Sequence, residues 1–242
     1  MTPALLEVDA VSKRFGGFVA LSEVSLTVRS GERLGIIGPN GSGKTTLINC
    51  ICGSLPSDGG TIGFDGIDVT RLAAYRRTRL GIARSFQVPR PFSSMTLAEN
   101  IAVPLEYVAH RQSLHGADVS AGARSILAQM GLADKADAPT GSLTQVDLRK
   151  LELARAMAVG PRLLILDEVM AGLSSVEVDE MLDIILGLSR QGVTIMMIEH
   201  IMRAIMRFSE RVVCMDAGRV MADGPPDHIV QDPDVQRIYL GD

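Results

Sequence analysis

Few cysteines, no long apolar run and no excess of positive charge: each shortage removes a class of function. Cys50, Cys52 and Cys214 are the only three cysteines in 242 residues, too few for a disulfide framework, which points to a reducing compartment. No run of about 18 uncharged apolar residues exists, and the richest ones, 163–166 and 195–198, end at carboxylates, so nothing here is expected to span a membrane. Residues 1–11 carry acids and no basic stretch, so no secretory leader is expected and the chain reads as cytoplasmic. A formal net charge of −4 argues against nucleic acid as the partner. Internal repeats and low-complexity tracts are absent too.

What remains is core-forming material, 46% hydrophobic and 21% charged. The length suits a single domain with a smaller appended part. Residues 5–11 and 26–28 are short β-rich runs, and Leu34-Gly35-Ile36-Ile37 lacks polar alternation, as a strand buried on both faces should. The glycines of 59–66 suggest a hairpin. Residues 88–160 have helical spacing and form an expected helical subdomain, leaving 1–87 and 161–242 as the core. Thereafter helices (144–159, 176–190, 201–208) alternate with apolar strands (163–166, 194–198, 212–215), which implies parallel βαβ pairing. The fold class is therefore α/β.

Gly38-Pro39-Asn40-Gly41-Ser42-Gly43-Lys44-Thr45 matches the P-loop pattern. Its glycines let backbone N–H groups turn onto a polyphosphate, and a helix beginning near Gly43 adds its positive end. Lys44 is expected to reach the β- and γ-phosphates, Thr45 to ligate Mg²⁺, and Thr46 to complete the loop. The strand 163–166 ends in Asp167-Glu168, at the carboxyl edge that would share the loop's crevice. Asp167 is the expected Mg²⁺ ligand and Glu168 the general base that polarises water. Glu199-His200 closes the next strand, where His200 would touch the γ-phosphate. A GTPase would need an Asn-Lys-x-Asp element, which is missing.

Together these residues resemble the nucleotide-binding subunit of an ABC transporter. The resemblance covers essentially the whole chain. It implies a P-loop NTPase with a mixed, mainly parallel sheet, an N-terminal antiparallel β subdomain and an inserted helical subdomain. By that resemblance Gln87, after the strand 82–86, is a catalytic and metal-contacting glutamine, and Phe15 stacks on adenine. Ala171-Gly172-Leu173-Ser174 is similar to the family's D-loop and His200 to its switch histidine. ATP and Mg²⁺ are the implied cofactors. Transmembrane permease subunits, a second ATPase subunit (a copy or a relative) and, indirectly, a solute-binding protein are the implied partners, at the cytoplasmic face of the plasma membrane. Arg14-Phe15-Gly16-Gly17, Arg84-Ser85-Phe86-Gln87 and the closing stretch 232–241 look like the ATPases of branched-chain amino-acid importers. The closing stretch also resembles lipopolysaccharide-export ATPases. A soluble ABC ATPase and a P-loop kinase fit less well, the first for want of a fused unit, the second for want of a lid and acceptor site.

Two positions depart from the family. The signature motif, usually Leu-Ser-Gly-Gly-Gln, aligns on Leu143-Thr144-Gln145-Val146-Asp147, and Val169 replaces a common proline. Thr144 keeps a hydroxyl for the opposite subunit's ATP. Val146 is expected to obstruct backbone approach and Asp147 to repel phosphate, which favours a heterodimer with unequal sites. Val88-Pro89-Arg90-Pro91-Phe92 should join nucleotide to membrane partner. Arg71, Arg76, Arg77, Arg79 and Arg84 read as a solvated face, Cys50-x-Cys52 as helix packing, and the methionines as gap fillers.

Overall fold

The computed structural model describes residues 4–86, 89–109 and 116–240. The chain opens on a long hairpin, β1 (Ala4–Phe15) and β2 (Phe18–Arg29), which pair antiparallel up to Phe15 opposite Phe18. Both strands extend well beyond the short runs 5–11 and 26–28. Their polar ends alternate with buried residues, and irregularities near Ala10 and Glu23 carry the pairing past positions that break the apolar pattern. β4 (Gly59–Phe64) pairs on β1, and β5 (Ile67–Asp68) returns through Asp65-Gly66, both in the left-handed region. The result is a four-stranded antiparallel sheet in the order β2-β1-β4-β5.

The second sheet has six strands among the described residues. It contains β3 (Arg33–Ile37), β6 (Ile82–Arg84), β7 (Leu163–Asp167), β8 (Thr194–Ile198), β9 (Arg211–Asp216) and β10 (Arg219–Gly224). Their order is β10-β9-β3-β8-β7-β6, parallel except for β10 on β9. Every residue of β7 and β8 is buried, as expected of strands covered on both faces. β6 stops at Arg84 rather than at residue 86, because Phe86 faces solvent. The phosphate loop and the acid-bearing loops therefore leave adjacent parallel strands at one sheet edge.

Helix α1 (Lys44–Cys52) follows the loop, and α2 (Ala74–Leu80) precedes β6. Helices α3 (Leu97–Ala109), α4 (Gly116–Gln129) and α5 (Gln145–Met157) occupy the middle of the chain and pack on one another. α6 (Ser175–Arg190), α7 (Met202–Phe208), α8 (Pro226–Gln231) and α9 (Pro233–Leu240) complete it. Two apolar clusters result. One joins the antiparallel sheet to α1 through Leu6, Phe64 and Ile48; the other joins α3–α5 to α6 and α7 through Leu127, Leu153 and Phe208. β-Strand residues such as Leu163 and Leu164 point alternately into one and the other.

The basic stretch is not one solvated face. Arg77 is buried, and its guanidinium donates to the carbonyls of Cys50, Ile51, Thr70 and Leu72. It holds the C-terminal end of α1, where carbonyls lack helical partners and a cation is favoured. Arg84 turns into the sheet edge. Arg71, Arg76 and Arg79 alone are exposed.

Candidate functional site

The loop between β3 and α1 takes a shape that side chains would prevent. Gly38 has φ 147 and Gly43 φ 102; a Cβ on Gly38 would strike the carbonyl of Met215, and one on Gly43 would lie 2.6 Å from the carbonyl of Ala20. Gly43 caps α1 without a side chain, so the first-turn N–H groups face a cleft of about 310 Å³. Its walls are Phe15, Phe18, Ala20, Asn40, Gly41, Ser42, Gly43, Lys44, Thr45, Thr46 and Glu168. That set brings the phosphate loop, the aromatic hairpin tip and the candidate base to one space. Phe15 and Phe18 are 50% and 61% exposed beside it, apolar faces of the kind a purine ring would cover.

Lys44 folds back over its loop. Its Nζ donates to the carbonyls of Gly38 at 2.7 Å and Pro39 at 2.9 Å, and to Ser42 Oγ at 3.4 Å. Burial lowers its pKa, and the carboxylates of Glu168 and Asp167 oppose that. An anion entering the cleft would add to the same opposition.

Glu168 and His200 leave the neighbouring strands β7 and β8 and meet. His200 Nε2 lies 2.7 Å from Glu168 Oε1. Glu168 sits in the left-handed region at φ 50, with its N–H donated to the carbonyl of Ile198 at 2.9 Å. Asp167 is buried, and Arg84 Nη2 donates to its Oδ2 at 2.5 Å while Nη1 reaches Asn49 Oδ1 at 2.6 Å. Thr45 lines the cleft and Asp167 precedes Glu168, another of its walls; hydroxyl and carboxylate are hard oxygen donors of the kind a hard divalent cation takes. Gln87, assigned by resemblance to the same chemistry, lies outside the described residues.

A family model described as ABC transporter matches residues 21–171, and one described as branched-chain amino acid ATP-binding cassette transporter matches residues 219–242. The chain belongs to the ABC transporter family. It is one of the family's nucleotide-binding, ATP-hydrolysing cassettes. The high-affinity branched-chain amino acid transport ATP-binding protein BraF of Pseudomonas aeruginosa is 36% identical over 254 residues, covering 100% of both chains. LivG of Salmonella typhimurium is 36% identical over 258 residues, again covering 100% of both. The ADP conformation of a solved ATP-binding cassette of an ABC transporter has a TM-score of 0.88 at 29% identity over 100% of both chains. A nucleotide-free cassette gives 0.89 at 30%, covering 99% of this chain and 100% of its own.

The altered ABC signature corrects one expectation. Asp147 does not point outward to repel phosphate. Its side chain is buried, and Oδ2 accepts from Lys135 Nζ at 2.7 Å and from the Thr144 N–H at 3.2 Å. The Thr144 hydroxyl accepts the Asp147 N–H at 3.2 Å, closing a capping box on α5. Burial pushes the Asp147 pKa up, but the bonds from Lys135 and Thr144 outweigh it and hold the carboxyl below its ordinary value. Val146 is half-buried against the larger core. The family's glutamine site has become a helix cap.

Sequence reasoning passed over Phe18, Arg84 as a partner of Asp167, and the pair Arg149 and Glu199. Each depends on a contact between residues far apart in the chain. Phe18 alone left a local signal, as the hairpin partner of Phe15.

Proposed function

We propose that this ATPase drives uptake of branched-chain or related amino acids as a peripheral subunit on the cytoplasmic face of a membrane. Two such subunits, copies or relatives, would sit beneath two permease subunits served by a solute-binding protein. The observation that carries this reading is the end-to-end likeness to BraF and LivG, reinforced by the closing segment 219–242. Those relatives are amino-acid transport proteins by name, which speaks against a lipopolysaccharide-type exporter. No helix among the described residues is long and apolar enough to cross a membrane, so the chain would act through membrane partners.

In this reading the phosphates lie on residues 38–46, with Lys44 on the terminal groups and adenine against Phe15. Glu168 orients and deprotonates the attacking water, and His200 fixes the carboxylate through their shared hydrogen bond. Thr45 and Asp167, with Gln87, would hold Mg²⁺, which supplies charge neutralisation on the phosphates. Residues 88–160 would be the helical subdomain and 1–87 with 161–242 the core. A cleft of about 220 Å³ between them is lined by Arg84, Phe86, Pro104, Glu152 and Arg155. Phe86 and Phe92 stand exposed at 55% and 40% beside it. Their exposure supports this groove, with Pro89–Phe92, as the seat of a permease segment.

The test is leucine uptake by proteoliposomes holding the complete complex and its binding protein. Uptake should require ATP and this chain, and Glu168→Gln should abolish it while leaving ATP binding intact. Uptake that continues at the parental rate with Glu168→Gln would reject the assignment.

A further inference from the structure

Glu199 is a buried acid for which hydrolysis has no direct use. It is 2% exposed, and it follows β8 directly, one residue before His200. Its Oε1 accepts the N–H of Met170 at 2.8 Å, and its carboxylate also takes the backbone N–H of His200. One side chain thus grips both loops that carry the hydrolytic pair. Glu168 stands two residues before Met170 and in contact with His200, in a left-handed conformation that a non-glycine residue keeps only where its surroundings over-determine it.

The surroundings can be counted off. The N–H of Glu168 is held by the carbonyl of Ile198, and its own carbonyl accepts from Ala171. Met170 is held by Glu199. Arg149 of α5, also buried, donates to the carbonyl of Ala171 at 3.2 Å, and its charge faces that of Glu199. Desolvation raises the Glu199 carboxyl to about 7, the cost of burying a charge whose return is two loops held in register.

From this geometry we infer that Glu199 is a positioning residue for ATP hydrolysis: its carboxylate clamps the loop after Glu168 to the loop bearing His200 and, with Arg149, ties both to helix α5. The inference rests on Glu168 and His200 being the hydrolytic pair. Helix α5 is capped by the signature residue Thr144, so a displacement of that helix would reach the pair through Arg149 and Ala171 without passing through the nucleotide.

The test compares Glu199→Met, which fills the space but accepts nothing, with Glu199→Gln, which restores an acceptor oxygen. In the full-length chain Glu199→Met should lower kcat at least about tenfold while the Kd for ATP stays within about threefold, since no phosphate-loop contact changes. Glu199→Gln should return kcat to within about threefold of the parent. Hydrogen exchange at the amides of Met170 and His200 should quicken in Glu199→Met and not in Glu199→Gln, whatever the identity of the catalytic base. Parental kcat with Glu199→Met overturns the clamp. So does a Glu199→Gln chain as slow as Glu199→Met, or a Kd that rises in step with the loss of kcat. A Glu199→Met chain that does not fold, beside a folded Glu199→Gln, would assign the acceptor to stability and also overturn it. If exchange responds as expected while Glu168→Gln still hydrolyses ATP, the clamp stands and the assignment of the base falls.

Discussion

Helices α1 and α5 each begin with N–H groups that have no helical partner, and they dispose of them in opposite ways. At α1 the residue before the helix is Gly43, and the first turn, Lys44 to Leu47, contains no acid. Its donors stay available to a ligand. At α5 the side chains of Thr144 and Asp147 close on each other's backbone, and Lys135 neutralises the carboxylate. The difference is in what each start leaves unpaired, which suits α1 to the phosphate role proposed for it and makes Asp147 a cap rather than a charge aimed at phosphate. α6 repeats the second solution with Ser174 and Glu177.

The sharpest way to break the contrast is at α1. Lys44→Ala removes a buried, hydrogen-bonded cation and should weaken ATP binding about 30- to 1000-fold, a loss of about 2–4 kcal/mol. Nucleotide titration of the purified variant checks it. Next comes Thr45→Ala, which should raise the Mg²⁺ concentration needed for half-maximal ATPase while ATP affinity without metal is unchanged; a metal titration of turnover separates the two.

At α5 the expected effects are smaller and of another kind. Asp147→Ala should cost about 1 kcal/mol of stability through the lost cap, or about 2–4 °C in Tm for a chain of this size. Because the folded carboxyl is held below its ordinary value, its contribution is present above the unfolded pKa and is lost as pH falls through the folded one. The Tm gap between parent and Asp147→Ala should therefore be full at pH 7 and close below about pH 4. Least of all, Asp147→Gln should restore the consensus residue without raising ATPase turnover. A several-fold rise would revive the phosphate-repulsion reading and with it the case for unequal sites.

The sequence made the candidate site legible wherever it lies in consecutive residues. Gly38 to Thr45, Asp167-Glu168 and His200 each follow a buried strand, and parallel pairing brings them to one edge. The capping box was equally local, since Thr-x-x-Asp ahead of an apolar helix is its signature; the family motif laid over those positions obscured it. The positioning residues were not legible, for a physical reason. Arg84 meets Asp167 across 83 residues and Glu199 meets Met170 across 29, and neither pairing leaves a periodicity or a spacing. Arg77 shows the same blindness. Five arginines close in sequence look like a solvated face until the fold turns one inward onto helix carbonyls.

The contrast between the two helix starts can be measured directly by following backbone amides of the isotopically labelled chain as MgADP is added. Resonances of Gly41, Gly43, Lys44, Thr45 and Thr46 should shift strongly and saturate together, while those of Gln145, Val146 and Asp147 stay in place, at a helix start already closed by the Thr144–Asp147 capping box. Saturable shifts at residues 145–147 with none at 41–46 would contradict the assignment of the phosphate site to α1.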